Sequence, residues 1–573
     1  MRNIFSFIII LTFFSIFFLF TACATSTPAI EKETKTANLE DDLETEDNNE
    51  IFFGYEKEYT QRFTIEGQDE EVILTPADFF QDKSETSNHQ VILAPQVEPE
   101  MLTPEYWLAK TTSPYKVMMS QQEIAKWNEE VLESRFSPTE YYRIVTDIRK
   151  YGRRFNTQQI RDEMLRYRPG VIWYKKNLSA DGTKSTIHRL TREDWLTFYD
   201  KMNYEPLGTK EYYAYTTAYR YPQNLDYYPV RKGICIKRST IRNIPDETFY
   251  SDDPSFWYDD VNQISGILMN EPVLILWESK DKNWYLIQTY YSAGWIHKSD
   301  IALCTDEEFA KYFDYAKKDK NDFVTITEDQ FLLQGDCVIE NTGSDVVLFM
   351  GTYLHTADWD SINLTEQFKE RIPHSSYLVE IPYKKDDETL GTKLAAIPAG
   401  VCCKGLMPYT QANIINLAFK SLGKRYGWGG MENERDCTGY TKDLYRCFGF
   451  NFGKNSAAQA AMPGKTIYMN KLSDTQKKAV LDELPVGTLL YYYGHVFIYL
   501  GKDDGQNGNN ADNKITNGSE YYVISSMGTY YADGQTVTAK VNACSVSVNN
   551  LTLVKKDGRT WFDSLVCAKL FQL

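Results

Sequence analysis

One arrangement of residue types in the last third of the chain suits covalent catalysis. Asp436-Cys437-Thr438-Gly439-Tyr440-Thr441 follows a glycine-rich stretch, Tyr426-Gly427-Trp428-Gly429-Gly430. Tyr440, Leu444, Tyr445 and Phe448 then recur at helical spacing, and Gly449 is placed to end that helix. Cys437 therefore stands at a helix start, where the partial positive charge favours a thiolate. A capping Asp followed by an inert, buried Cys is the plain structural alternative. Downstream, Pro485-Val486-Gly487-Thr488-Leu489-Leu490-Tyr491 leads into Gly494-His495-Val496-Phe497-Ile498-Tyr499-Leu500-Gly501. This reads as a hairpin in which His495 opens a strand. Val496, Ile498 and Leu500 share one face, and His495 shares the other with Phe497. The chain has six His, and only His495 lies beyond residue 405. A helix-capping thiol followed by a strand imidazole is what a nucleophile and its general base require.

The elements around these residues follow from periodicity. Residues 410–422 form a helix with Ile414, Ile415, Ala418, Phe419 and Leu422 on one face. Tyr521-Tyr522-Val523-Ile524-Ser525-Ser526-Met527-Gly528 is a strand after the His495 strand, and the Asn/Gly/Asp-rich residues 503–519 between them form a loop. Upstream, 208–304 and 320–402 have short strands separated by turns, the pattern of small barrels. Strands are expected at 271–276, 284–288, 294–296, 323–327 and 346–350. Residues 96–207 read as mainly helical. Ser120-Gln121-Gln122-Glu123 is a capping box, Ser137-Pro138 opens a second helix and 157–167 form a third, with a strand at Tyr174.

With 573 residues the chain needs several cores. Its net charge of -17 argues against a nucleic-acid partner, which requires a basic surface. Met1-Arg2-Asn3 and the apolar run 4–20 lead to Phe20-Thr21-Ala22-Cys23. A basic start, an apolar run and small residues before a cut describe a secretory signal. The run is also long enough to span a bilayer, but small residues and a Cys follow it and no basic cluster does. Residues 25–50 are polar and acidic without apolar periodicity, a disordered tether. Within 60–96 a strand pair and further tether both remain open. The ten cysteines show no C-x-x-C spacing, so neither a metal nor another cofactor is expected.

Four segments in order resemble the NlpC/P60 family of cysteine peptidases: Tyr426-Gly427-Trp428-Gly429-Gly430, Asp436-Cys437-Thr438-Gly439, Asn455-Ser456, and Gly494 through Gly501. The resemblance covers residues 410–573. It extends more weakly upstream through Trp107, residues 122–128, residues 230–238 and Gly294-Trp295, which are similar to a branch with a helical domain and two SH3-type domains. It implies a γ-D-glutamyl-L-diamino-acid endopeptidase acting on peptidoglycan stem peptides or muropeptides. Cys437 would be the nucleophile and His495 the base. Tyr426 and Asp436 would meet the free amine of an N-terminal L-Ala, with Ser456 in the same pocket. The family's third catalytic residue, usually His, falls on Ser525, whose hydroxyl can still hydrogen-bond the imidazole without adding charge. Residues 20–23 resemble a lipobox, which implies a lipidated Cys23 and a membrane-anchored lipoprotein of the bacterial cell envelope.

The expected architecture is multidomain α+β. A signal peptide (1–22) precedes lipidated Cys23 and an acidic tether (23–95). A mainly helical domain (96–207), two SH3-like barrels (208–304 and 320–402) and a papain-like α+β domain (405–573) follow. A non-catalytic wall-binding lipoprotein with a degenerate enzyme domain is the competing expectation. An amidase or acyltransferase on the same scaffold is a third.

Overall fold

The computed structural model describes residues 61–63, 72–74, 91–136, 142–143, 145–150, 154–164, 171–178, 185–204, 227–334, 346–357, 374–503, 518–531 and 540–571. The apolar leader, Cys23 and the acidic segment 25–50 lie outside these residues, as do 504–517 of the Asn/Gly-rich insert. Up to residue 92 the described secondary structure is one antiparallel strand pair, Gln61–Phe63 with Val72–Leu74. Residues 93 onward form a separate compact unit.

Helix α1 (Gln121–Glu133) begins with the expected capping box. The Glu123 carboxylate accepts from the Ser120 amide at 2.7 Å, and the Ser120 hydroxyl accepts from the Glu123 amide at 3.3 Å. Its buried face includes Ile124, Trp127 and Val131. Trp127 packs edge-on against Phe450 and Phe571, with centroids 4.9 and 5.4 Å away. The described residues of 96–207 therefore divide between two cores. Their first part shares the core of the C-terminal domain. Trp173, Trp195, Phe198 and Tyr199 instead pack with Leu274, Trp284 and Trp295 of the first barrel. The helix expected from Ser137 is not what the described part of that segment forms. Tyr142–Arg143 is a strand paired with Arg135–Phe136. The run Tyr141-Tyr142-Arg143-Ile144-Val145-Thr146 is rich in aromatic and β-branched residues, which fit a pleated surface better than a helix.

The first barrel is a seven-stranded sheet in which Pro272–Glu278, Trp284–Gln288 and Ala293–His297 run as an antiparallel meander, joined by Arg231–Cys235, Ser239–Arg242, Gln263–Ile267 and Ile301–Leu303. The second β unit closes Phe323–Ile326 against Tyr353–His355 and Cys402–Lys404, with a long hairpin, Ser376–Lys384 and Leu390–Pro398, over the same core.

The C-terminal domain places helices on both faces of a six-stranded antiparallel sheet. Its helices are α2 (Gln411–Lys420), α3 (Cys437–Arg446), α4 (Ser456–Ala461), α5 (Asp474–Glu483) and α6 (Trp561–Ser564). Its strands are β1 (Lys465–Tyr468), β2 (Leu489–Tyr492), β3 (His495–Lys502), β4 (Tyr521–Tyr531), β5 (Lys540–Asn550) and β6 (Cys567–Leu570), in the order β1-β6-β2-β3-β4-β5. Alternation along β3 separates two cores. Val496, Ile498 and Leu500 pack with residues of α2 and α3, while Phe497 and Tyr499 pack with Leu481 of α5 and Trp561 of α6.

Candidate active site

Cys437 is the first residue of α3 because Asp436 caps that helix. The Asp436 carboxylate accepts from the Gly439 amide at 2.7 Å and from the Thr438 hydroxyl at 2.7 Å. Such a cap is worth about 1 kcal/mol. The other carboxylate oxygen accepts from the Gly429 amide at 3.3 Å. That bond ties the helix start to the glycine-rich turn. Gly429 and Gly430 have φ of 56° and 89°, in the region that favours glycine. A Cβ on Gly429 would lie 2.8 Å from the Gln263 backbone, and one on Gly430 would meet the Gly266 amide. The two glycines therefore let the first barrel press its strand 263–267 directly onto this turn.

His495 opens β3 after the Tyr493-Gly494 turn and is 7% exposed, as is Cys437. Helix α3 packs against β3 and β4. The His495 ring sits among Trp561, Tyr492 and Phe497, with centroids at 5.2, 5.3 and 5.8 Å. Its Nε2 lies 3.2 Å from the Ser525 hydroxyl. Burial lowers its pKa from 6.5 to about 3, so the imidazole is neutral at physiological pH. Ser526 points to the opposite face of β4 and donates to the Arg435 carbonyl at 2.7 Å. Of the two adjacent serines, Ser525 is thus the one against the imidazole.

Tyr426 is half-buried. Its amide donates to the Cys544 carbonyl at 2.8 Å, and its ring lies over Gly528, where a Cβ would meet ring carbons at 3.6 Å. Tyr426 also bridges Arg435, the residue before Asp436. Ser456 is the first residue of α4, capped by Asn455 through a 2.8 Å bond from the Ala458 amide. Gln459 ties this helix to α3. It donates to the Thr438 carbonyl at 3.1 Å and accepts from the Thr441 hydroxyl at 2.9 Å. Cys23 lies outside the described residues.

Three contributors were not singled out from the sequence. Trp561 walls the imidazole; the Thr560–Asp563 capping box marks its helix but not its contact. Gln459 is an unremarkable polar residue in a short helix. Asp259 comes from the first barrel, in the acidic, aromatic run 252–260. Burial raises its carboxyl to about 6, with Lys540 opposing and Asp252 and Asp436 adding to the rise. Asp436 is thus among the charges that Asp259 of the barrel feels.

The fold and site are those of a multidomain α+β protein with a capped thiol helix on an antiparallel sheet. Residues 423–552 match the family model described as NlpC/P60 family, and residues 252–297 match the SH3 domain (SH3b1 type). The chain thus carries an NlpC/P60 domain behind an SH3b-type domain. It is 36% identical over 107 residues to a probable endopeptidase p60 of Listeria monocytogenes, covering 18% of this chain and 19% of that protein. The match thus spans about a fifth of that relative's length. Among solved structures it is similar to an NlpC/P60 endopeptidase from Photobacterium damselae subsp. piscicida. There the TM-score is 0.56 at 16% identity, over 81% of this chain and 96% of that one. An NlpC/P60 family protein from Bacillus cereus matches with a TM-score of 0.38 at 16% identity, over 59% of this chain and 99% of that one.

Proposed function

We propose that the protein is a cell-wall peptide hydrolase that cleaves the γ-D-glutamyl-L-diamino-acid amide of peptidoglycan stem peptides. The observation that carries this reading is the capped helix start at Cys437 together with a buried imidazole backed by Ser525, within a domain matching the NlpC/P60 model. Ser525 occupies Nε2 of His495, and the proposed mechanism gives the other ring nitrogen, Nδ1, the role of base toward the thiol. The neutral imidazole takes the Cys437 proton as sulfur attacks the γ-glutamyl carbonyl. Amides of the first turn of α3, that of Cys437 included, stabilise the oxyanion. His495 then protonates the leaving amine, and water releases the acyl group.

Asp436, whose second carboxylate oxygen accepts the longer bond from Gly429, and the Tyr426 phenol form the assigned seat for a free N-terminal ammonium. Ser456 lines the same pocket. The chain is further proposed to be a lipoprotein of the cell envelope, held to the membrane through Cys23. The test is incubation of the purified chain and its Cys437→Ala variant with L-Ala-γ-D-Glu-diamino-acid peptide, read by mass. Release of L-Ala-D-Glu by the parent alone supports the reading. Equal turnover by Cys437→Ala, or no cleavage by the parent, rejects it. Joined rather than hydrolysed products move the chemistry to acyl transfer.

A further inference from the structure

Helix α3 carries charge where a helix against a core ordinarily carries apolar groups. Lys442, Asp443 and Arg446, and Arg435 just ahead of the helix, are at most 4% exposed. Such residues are almost never buried unless paired. Asp443 accepts from Arg435 Nε at 2.8 Å, from Arg238 Nη1 at 2.9 Å and from Lys442 Nζ at 2.8 Å. Arg435 Nη1 donates to Asp329 at 2.7 Å. Arg238 belongs to the first barrel and Asp329 to the second β unit. The second β unit thus grips the side chain of the residue two before Cys437 directly, and the first barrel reaches it through the shared Asp443 carboxylate. The backbone of that residue is gripped from the sheet. Its carbonyl accepts the Ser526 hydroxyl, next to the Ser525 that holds His495.

A buried ionic cluster gains little stability over apolar packing of the same volume, because desolvation offsets the attraction. Its distinctive property is geometric: a planar guanidinium fork admits few orientations between two carboxylates. We propose that Arg435, clamped between Asp329 and Asp443, is a positioning residue for the Cys437 nucleophile. The two β units are then part of the active-site scaffold. The inference rests on the proposed role of Cys437 and on nothing about the substrate.

The experiment compares the full chain with its Asp329→Asn and Asp329→Glu variants. Asn keeps the shape and removes the charge, while Glu restores the charge. The measurements are kcat and KM on the stem peptide, the second-order rate of Cys437 alkylation by iodoacetamide (read by mass), and thermal unfolding. In folded Asp329→Asn, kcat should fall about 10- to 100-fold, the range for a small misplacement of a reacting group. KM should stay within about twofold, and alkylation should slow in parallel. Asp329→Glu should recover most of both. Parent-like kcat and alkylation in folded Asp329→Asn overturn the proposal, as does a loss that only tracks the unfolded fraction. Should Asp329→Asn not fold, Arg435→Lys, which keeps the charge and loses the fork, is read by the same criteria. If the parent does not cleave the peptide, the functional reading fails while the alkylation comparison still decides the positioning role.

Discussion

Replacing Ser525 with Ala removes one hydroxyl from behind His495 and leaves the rest of the site in place. Ser525 is fully buried, so it cannot touch a substrate, and its effect must pass through the imidazole. The lost interaction is one neutral hydrogen bond of 3.2 Å. A buried bond of this kind contributes about 0.5–1.5 kcal/mol. The ring is separately wedged by Trp561, Tyr492 and Phe497, so it is loosened rather than released. About 1 kcal/mol on the barrier corresponds to roughly a fivefold fall in kcat, and the upper end to about tenfold. KM should not change. Steady-state hydrolysis of the stem peptide at pH 7, with thermal unfolding in parallel, measures both. An unchanged kcat, or a raised KM at constant kcat, would refute the assignment of Ser525 as the residue that orients the base.

Cys437→Ala should abolish hydrolysis with an unaltered circular dichroism spectrum, and residual turnover above background would remove the nucleophile assignment. N-acetylation of the substrate's L-Ala should raise KM strongly, since Asp436 and Tyr426 would face an amide in place of an ammonium; equal rates would withdraw that role from both residues. Because burial lowers His495 from 6.5 to about 3, the acid limb of kcat/KM should fall below pH 5, and a midpoint near 6.5 would contradict the neutral, buried imidazole. The same shift affects stability. The unfolded chain takes up this proton below pH 6.5 and the folded chain only near 3, so stability is full above 6.5 and falls as pH drops through that window, by about 1.4 kcal/mol per unit. His495→Phe should flatten that dependence in acid unfolding curves. Cys23→Ala should end incorporation of labelled fatty acid, and persistent labelling would place the anchor elsewhere.

Local order in the sequence was enough for the parts of the site that depend on neighbouring residues. The Asp436 cap and the helix start at Cys437 follow from an acceptor side chain placed before an apolar repeat. The two faces of β3 follow from a period of two, since Val496 and Phe497 must point opposite ways. The same alternation assigns Ser525 and Ser526 to different faces. The Ser120 box marks a helix end for the same reason: its bonds span only three residues.

What depends on distant segments was decided by the tertiary structure. Residues 96–207 read as one helical domain, yet Trp127 joins the C-terminal core and Trp195 the barrel core. Periodicity shows which face of an element is apolar but not which partner covers it. The convergence of Arg238 and Arg435 on Asp443, with Asp329 on the far side of Arg435, is equally silent in sequence, because an ion pair between residues 205 positions apart leaves no local pattern. The approach of the barrel backbone at 263–266 to Gly429 and Gly430 likewise leaves no local pattern. Trp561 meets His495 from the helix that precedes β6, which enters the sheet between β1 and β2. Residue type and spacing nominate a candidate nucleophile and base, whereas the groups packed around those side chains are selected by tertiary structure.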